Sequence, residues 1–247
     1  MKLLIWNIRQ GGGTRLTRIT QAIAAHSPDV IALTEFRSRP GQALVPALQR
    51  EDRLYVESTS PTGADNGICV ISRVPTVRAR TCPAPTENIT RWLDVDFPDH
   101  GFGIGILHIL CSVPKIKDGI PGEAKTRFWN AVLREADARL SEPFLFAGDF
   151  STGAHRTDES GKTFVCAEHF CKLSALGWTD MWRHKNIGQT EWTWYSKLKG
   201  GARGNGFRLD HCFAAPTLRP RITSCRYSHE EREAGISDHS LMIVEVK

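Results

Sequence analysis

Five short apolar runs in this 247-residue chain each meet a polar side chain at one end, and that pattern restricts the fold more than any other feature. Leu3 to Trp6 leads into Asn7, Asp29 to Thr34 into Glu35, Gly103 to Leu107 into His108, and Phe144 to Gly148 into Asp149. Near the C-terminus the order reverses: Asp238 and His239 stand just before the apolar alternation of Ser240 to Val246. Runs this short and this apolar read as buried strands. In α/β sheets the strand ends are where ligand groups converge, because a side chain there is solvated while its run stays buried.

The rest of the chain supplies strands and helices in mixed order. Lys2 to Ile8 and Asp29 to Phe36 are strands. Between them, Arg15 to Ala25 places Leu16, Ile19, Ala22 and Ile23 on one helical face, with Thr14 as its N-cap. Strands at Gly67 to Ser72, Val77 to Cys82, Trp92 to Phe97 and Phe102 to Ile109 follow with few helical interruptions, so their pairing is largely antiparallel. Glu123 to Leu140 repeats apolar residues at Phe128, Val132, Ala136 and Leu140 and is the best helix. After a strand at Phe144 to Ala147 come a helix near Phe164 to Leu176 and strands near Thr190 to Tyr195, Arg208 to Ala214, Arg221 to Tyr227 and Leu241 to Val246. Two facing sheets with helices outside use all of these elements.

No linker, charge block or repeat divides the sequence, so one domain over residues 1–247 is expected. No run approaches the ~18 apolar residues of a membrane span, and the opening apolar stretch is too short for a secretion signal. The seven cysteines are odd in number and lack zinc-type spacing, so they read as reduced, mostly buried thiols of a cytoplasmic protein. The net charge of +5 favours a polyanionic partner only weakly. Lys197 to Arg208 says more: Lys197, Lys199, Arg203 and Arg208 stand among small, flexible residues, as in a phosphate-contacting loop or a solvated surface loop. Gly11 to Gly13 is not followed by the Lys-Ser/Thr of a phosphate-binding loop and reads as a flexible turn.

Six fragments carry a resemblance: Trp6–Asn7–Ile8, Leu33 to Arg37 (LTEFR), Leu107 to Ile109 (LHI), Ala147 to Phe150 (AGDF), Gly206 to His211 (GFRLDH) and Ser237 to His239 (SDH). In their order and spacing they resemble the exonuclease/endonuclease/phosphatase superfamily, which includes abasic-site endonucleases and deoxyribonuclease-I-like nucleases. The resemblance implies a four-layered α/β/β/α sandwich of two mostly antiparallel sheets flanked by helices. It also implies hydrolysis of phosphodiester bonds, with DNA the favoured partner and neither a membrane nor a protein partner indicated.

Such chemistry needs a divalent ion for developing charge, an orienter or base for water, and donors to the phosphate oxygens. Glu35 and Asp238, with Asn7 close by, are the hard oxygen ligands expected to hold Mg²⁺, or Mn²⁺ in its place. An ion pair of Glu35 with Arg37 or Arg39 is the structural alternative. By the resemblance, Asp149 handles the attacking water, Asp210 holds one nitrogen of His239, and the other nitrogen faces the phosphate. His108 stands where deoxyribonuclease-like members carry histidine, as a phosphate donor or a satisfied core histidine. Trp194, Ala202, Arg203 and Phe207 follow the order of the abasic-site branch; Phe207 and Trp194 either line a pocket for an extruded sugar or pack in the core. Trp178, Trp182 and Trp192 are left to the core.

Two positions depart from the pattern. Ser151 replaces the usual Asn two residues after Asp149, and a hydroxyl reaches less far than a carboxamide. It is compatible with a divergent site, a weakened one or an engineered replacement. Arg9 stands where abasic-site endonucleases carry an acid. The readings kept open are a DNA endonuclease or 3′ exonuclease, a phosphomonoesterase or small-phosphodiester hydrolase on the same scaffold, and a catalytically impaired nucleic-acid-binding protein.

Overall fold

The computed structural model describes residues 1–49, 55–59, 65–79, 82–111, 122–198 and 202–247. The first half contains strands β1 (Lys2–Asn7), β2 (Val30–Phe36), β3 (Tyr55–Ser58), β4 (Gly67–Ser72), β5 (Val77–Arg78), β6 (Trp92–Phe97) and β7 (Phe102–His108), with helices α1 (Leu16–His26) and α2 (Ser38–Leu48). The second half contains α3 (Glu123–Ala138), β8 (Phe144–Asp149), α4 (Ala167–Ala175), β9 (Thr179–Asp180), α5 (Met181–Lys185), β10 (Trp194–Lys197), β11 (Arg203–Phe207), β12 (Asp210–Ala214), β13 (Ile222–Ser228), α6 (Glu230–Glu233) and β14 (Leu241–Val246).

Two six-stranded sheets run in the orders β13-β14-β1-β2-β4-β3 and β5-β6-β7-β8-β12-β9, and β10 and β11 form a separate hairpin. Each large sheet has one parallel pair, β1 with β2 and β7 with β8, and is otherwise antiparallel. Side chains alternate between faces along a strand, so a continuous apolar run implies two buried faces. Leu3 and Ile5 of β1 turn inward with Leu145 and Ala147 of β8, forming a core between the sheets. Leu4 and Trp6 turn outward against Ile19 and Ile23 of α1 and Leu44 and Leu48 of α2. On the other sheet Trp92, Phe144 and Phe146 turn outward against Phe128, Trp129 and Val132 of α3 and Phe170 of α4. The result is a helix, sheet, sheet, helix sandwich. Among the described residues no helix is long and apolar enough to cross a membrane.

Several boundaries differ from the sequence expectation. Thr14 is not an N-cap: Gly13–Arg15 forms a 3₁₀ turn, α1 begins at Leu16, and no side chain caps it. The strand expected to end at Cys82 is paired only over Val77–Arg78, and residues 80 and 81 lie outside those described. α2 was unforeseen because Pro46 lies inside it. The basic loop is in part a strand, β11, whose Gly204 and Gly206 hide its character from a propensity reading. Trp178 and Trp182 are buried, but Trp192 is only half-buried and covers Gly206, whose missing Cβ makes room for the indole.

Arg208 also departs from its expected place. It is fully buried, donating from Nε to Asp158 Oδ1 at 2.7 Å and from Nη2 to Asp180 Oδ2 at 2.5 Å. An arginine held this way ties the link between β11 and β12 to the loop before α4 and to β9, and is turned away from solvent. Burying the guanidinium is offset by these partners, and removing it would leave the Asp180 carboxylate without its cation and Asp158 with Arg183 alone.

Candidate active site

The parallel pairs and their antiparallel neighbours bring the polar strand ends to one edge of the sandwich. β1 and β2 end side by side at Asn7 and Glu35, and β7 and β8 end at His108 and Asp149, which are paired in register. β12 runs the other way, so its first residue, Asp210, lies opposite Asp149. His239 stands just before β14, beside β1.

Backbone geometry aims two of these carboxylates. Glu35 sits at a register shift between β2 and β4 with φ 54°, a left-handed conformation unfavourable for a residue with a Cβ by roughly 1–2 kcal/mol. The facing turn is left-handed over five consecutive residues, Arg9 to Gly13. It wraps Glu35: Gln10 N–H donates to Oε2 at 2.6 Å and Gly11 N–H donates to the Glu35 carbonyl at 2.7 Å. Strain concentrated at a converging set of polar groups is the pattern of a functional site. Before Asp149, Gly148 has φ 132°, and a Cβ there would collide with the Leu107 carbonyl oxygen. Only glycine lets β8 end this close to β7.

Asp149 is the hub. Its Oδ2 accepts from Asn7 Nδ2 at 2.9 Å, and its Oδ1 accepts from Ser151 N–H at 2.8 Å and Ser151 Oγ–H at 3.1 Å. Arg9 N–H donates to Asn7 Oδ1 at 2.9 Å, which turns the amide nitrogen toward Asp149 and toward Glu35 Oε1 at 3.3 Å. Burial pushes the Asp149 carboxyl up to about 6, with His239 opposing and Asp210 adding to the rise.

Asp210 and His239 form a buried pair, Nδ1 to Oδ2 2.9 Å, and His239 Nε2 lies 3.9 Å from Asp149 Oδ2. Burial alone would push the His239 imidazole down. Asp210, and after it Asp149, outweigh that effect and hold it up at about 10, so the ring is an imidazolium at neutral pH. Both partners are fixed from behind: Tyr227 OH donates to the Asp210 carbonyl at 2.6 Å and Trp6 Nε1 to the His239 carbonyl at 3.1 Å.

His108 faces Asp149 from the other side, with Nε2 3.9 Å from both Asp149 Oδ2 and Glu35 Oε1. Burial, and after it the charge of Arg91, hold His108 well below its ordinary value. The ring is therefore neutral, and Arg91 Nη1 lies 3.0 Å from its Nδ1. Glu35 has no ion pair with Arg37, whose Nε donates to Asn66 Oδ1 at 2.7 Å. Asp238 stands at the rim, where Trp194 Nε1 donates to its Oδ2 at 3.4 Å and Arg9 Nε lies 3.8 Å away.

The hairpin borders this rim. Trp194 and Phe207 are half-buried, pair in register and bring their rings to 5.8 Å. Arg203 is exposed with its guanidinium 4.1 Å above the Tyr195 ring, Lys197 is exposed, and Lys199 lies outside the described residues. Of the expected basic set, Lys197 and Arg203 thus face solvent and Arg208 does not. Two site residues escaped the sequence reading. Arg91 directly precedes the run Trp92 to Phe97, which pairs with the strand of His108. Lys125 lies three residues before Phe128 on the apolar face of α3, and a cation on that face was the available signal.

A two-sheet sandwich with carboxylates and imidazoles meeting where its strands end is the layout of a phosphoester hydrolase. The profile of the Endonuclease/Exonuclease/phosphatase family matches residues 4–239, and the chain belongs to that family. No curated protein matches the sequence. Among solved structures, an AP endonuclease from Archaeoglobus fulgidus is 18% identical with TM-score 0.83, covering 100% of this chain and 99% of that one. The 3′ phosphatase NExo from Neisseria bound to product DNA hairpin is 19% identical with TM-score 0.82, covering 100% and 99%. The 3′-5′ exonuclease NExo from Neisseria meningitidis is 19% identical with TM-score 0.81, covering 100% of both chains. At these identities the likeness establishes the fold.

Proposed function

We propose that the chain, working as one domain over residues 1–247, is a divalent-metal-dependent phosphodiesterase that acts on DNA as an endonuclease or 3′ exonuclease. The observation that carries this reading is the facing pair: the Asp149 carboxylate and the His239 imidazolium stand 3.9 Å apart at Nε2 and Oδ2, each fixed by its own partners. Above about 6 the carboxylate is ionised and can accept the proton of an attacking water. The imidazolium donates from Nε2 toward a non-bridging phosphate oxygen as charge develops there. Asn7 orients Asp149, and Asp210 keeps His239 charged and correctly turned. His108 and Arg91 add donors on the opposite side.

The donor set fits a hard cation. Glu35 and Asp238 offer carboxylate oxygens. Glu35 is aimed by the Gln10 amide and by Asn7 Nδ2, the Asn7 Oδ1 being taken by Arg9 N–H, and among the described residues no arginine or lysine is paired to it, while Asp238 has Arg9 Nε at 3.8 Å. Asp149, Asp210 and His239 form another group whose ligand atoms lie within 4.8 Å of one another, but there His239 Nδ1 and Asp210 Oδ2 are paired with each other and Asp149 Oδ2 accepts from Asn7. Mg²⁺ or Mn²⁺ held by Glu35 and Asp238 would supply charge stabilisation at the phosphate.

DNA is favoured by the exposed cations and aromatic rings of the hairpin beside the site, and by the neighbours described as an AP endonuclease and as bound to product DNA hairpin. The direct test is incubation with Mg²⁺ or Mn²⁺ and supercoiled, nicked, abasic or single-stranded DNA. Replacing Lys197 and Arg203 by Gln should flatten the dependence of log affinity on log salt by ~1 to 2 units. Inert DNA with turnover of phosphomonoesters or small phosphodiesters, together with an unchanged slope, assigns the small-substrate activity instead.

Ser151→Asn tests the departure at that position. Ser151 has φ 46°, a conformation in which asparagine is among the better-tolerated residues, so the backbone accepts the change. The serine hydroxyl is turned back onto Asp149, whereas a carboxamide is long enough to reach past it toward a phosphate oxygen. The expected result is a kcat raised by up to ~10²-fold with DNA affinity little changed. Equal or lower activity would make serine the working residue.

A further inference from the structure

We propose that Lys125 is a positioning residue: its buried ammonium clamps the carbonyl of Ser151 and so holds the left-handed turn that delivers two donors to Asp149. The inference rests on the reading of Asp149 as the group that handles the attacking water. Lys125 lies in the first turn of α3, 2% exposed, and donates from Nζ to the Ser151 carbonyl at 2.6 Å. That residue has φ 46°, and both its N–H and its hydroxyl donate to Asp149 Oδ1. A serine held at positive φ relaxes toward an ordinary conformation unless something opposes it, and relaxation would swing both donors off the carboxylate. His211 Nε2 donates to the next carbonyl, Thr152, at 2.8 Å, so the turn is pinned at two successive peptide groups.

A purely structural role does not account for the residue type. Position 125 shares the apolar face of α3 with Phe128, Val132 and Ala136, where methionine would pack without burying a charge. Among the described residues the ammonium has no carboxylate within ion-pair distance. Burial pushes Lys125 below its ordinary value, with Cys111, Cys166 and Asp149 opposing. Retaining a buried cation at a stability cost, against the turn that shapes the active site, is the mark of a functional constraint.

Lys125→Ala and Lys125→Met supply the test, each compared with the parent chain for melting temperature, hydrogen exchange over residues 149–152 and kinetics on DNA. The expected result is exchange of that segment at least ~10-fold faster with the rest of the molecule unchanged. kcat should fall on the order of 10- to 100-fold with KM nearly constant, because a misplaced group acts in the transition state. Added n-propylammonium should restore part of the kcat of Lys125→Ala, where the deleted side chain leaves room, and none of that of Lys125→Met. Faster exchange without loss of kcat, or a kcat loss with no amine rescue and no change in exchange, would overturn the assignment. An inactive parent chain would sink the nuclease reading itself, and exchange would then decide the clamp alone. If Lys125→Ala does not fold, Lys125→Met carries the exchange and kinetic arms.

Discussion

His239→Ala and Asp210→Asn are each expected to lower kcat by ~10²- to 10⁴-fold, the range for loss of a positioned acid–base group, and the double variant should be little worse than the more damaged single one. The reason is the buried contact between them. Asp210 makes His239 an imidazolium and fixes the orientation of its ring, so removing either leaves the same defect: no charged donor facing the phosphate. Asp210→Asn should in addition bring the pKa of His239 down, since the raising influence of Asp210 is the largest that opposes burial. Titration of the His239 ring by NMR in the parent and in Asp210→Asn checks this separately from turnover. Kinetic losses that multiply in the double variant would show that the two side chains act independently.

Glu35→Gln is expected to abolish turnover at ordinary Mg²⁺ while leaving the melting temperature close to that of the parent. Glutamine keeps the shape and an acceptor for Gln10 N–H, so the turn that wraps residue 35 survives. It removes the negative charge on which a hard divalent cation depends. Raising Mg²⁺ or substituting Mn²⁺ should recover part of the activity. Asp210→Asn should show no such recovery, because that defect lies in the acid. Full activity of Glu35→Gln at low Mg²⁺, or parent activity in EDTA, would remove the metal assignment.

The strands were legible because burial on both faces writes a continuous apolar run, and their polar ends were legible because each run closes on one. α2 was not, since Pro46 within it removes a backbone donor that sequence reasoning counts against any helix. Arg208 shows the sharper limit. In the sequence it closes a basic stretch, and only Asp158 and Asp180, 50 and 28 residues away, make it a buried structural cation. Arg91 and Lys125 were missed for the same reason in reverse: His108 and Ser151, which reveal their roles, are neighbours in space alone. Trp194 is neither core nor free, its indole nitrogen spent on Asp238 while the ring remains half-exposed.

The two hydrogen bonds at the centre of the site both cross from one sheet to the other. Asn7 belongs to β1 and its acceptor Asp149 to β8, and His239 leads into β14 while its partner Asp210 begins β12. The catalytic geometry is therefore a vernier on the alignment of two layers that share no strand. A slip of one sheet over the other too small to expose the core between them would lengthen both contacts together. On the proposed reading, turnover would depend on the side chains that seat one sheet on the other as well as on the handful at its edge.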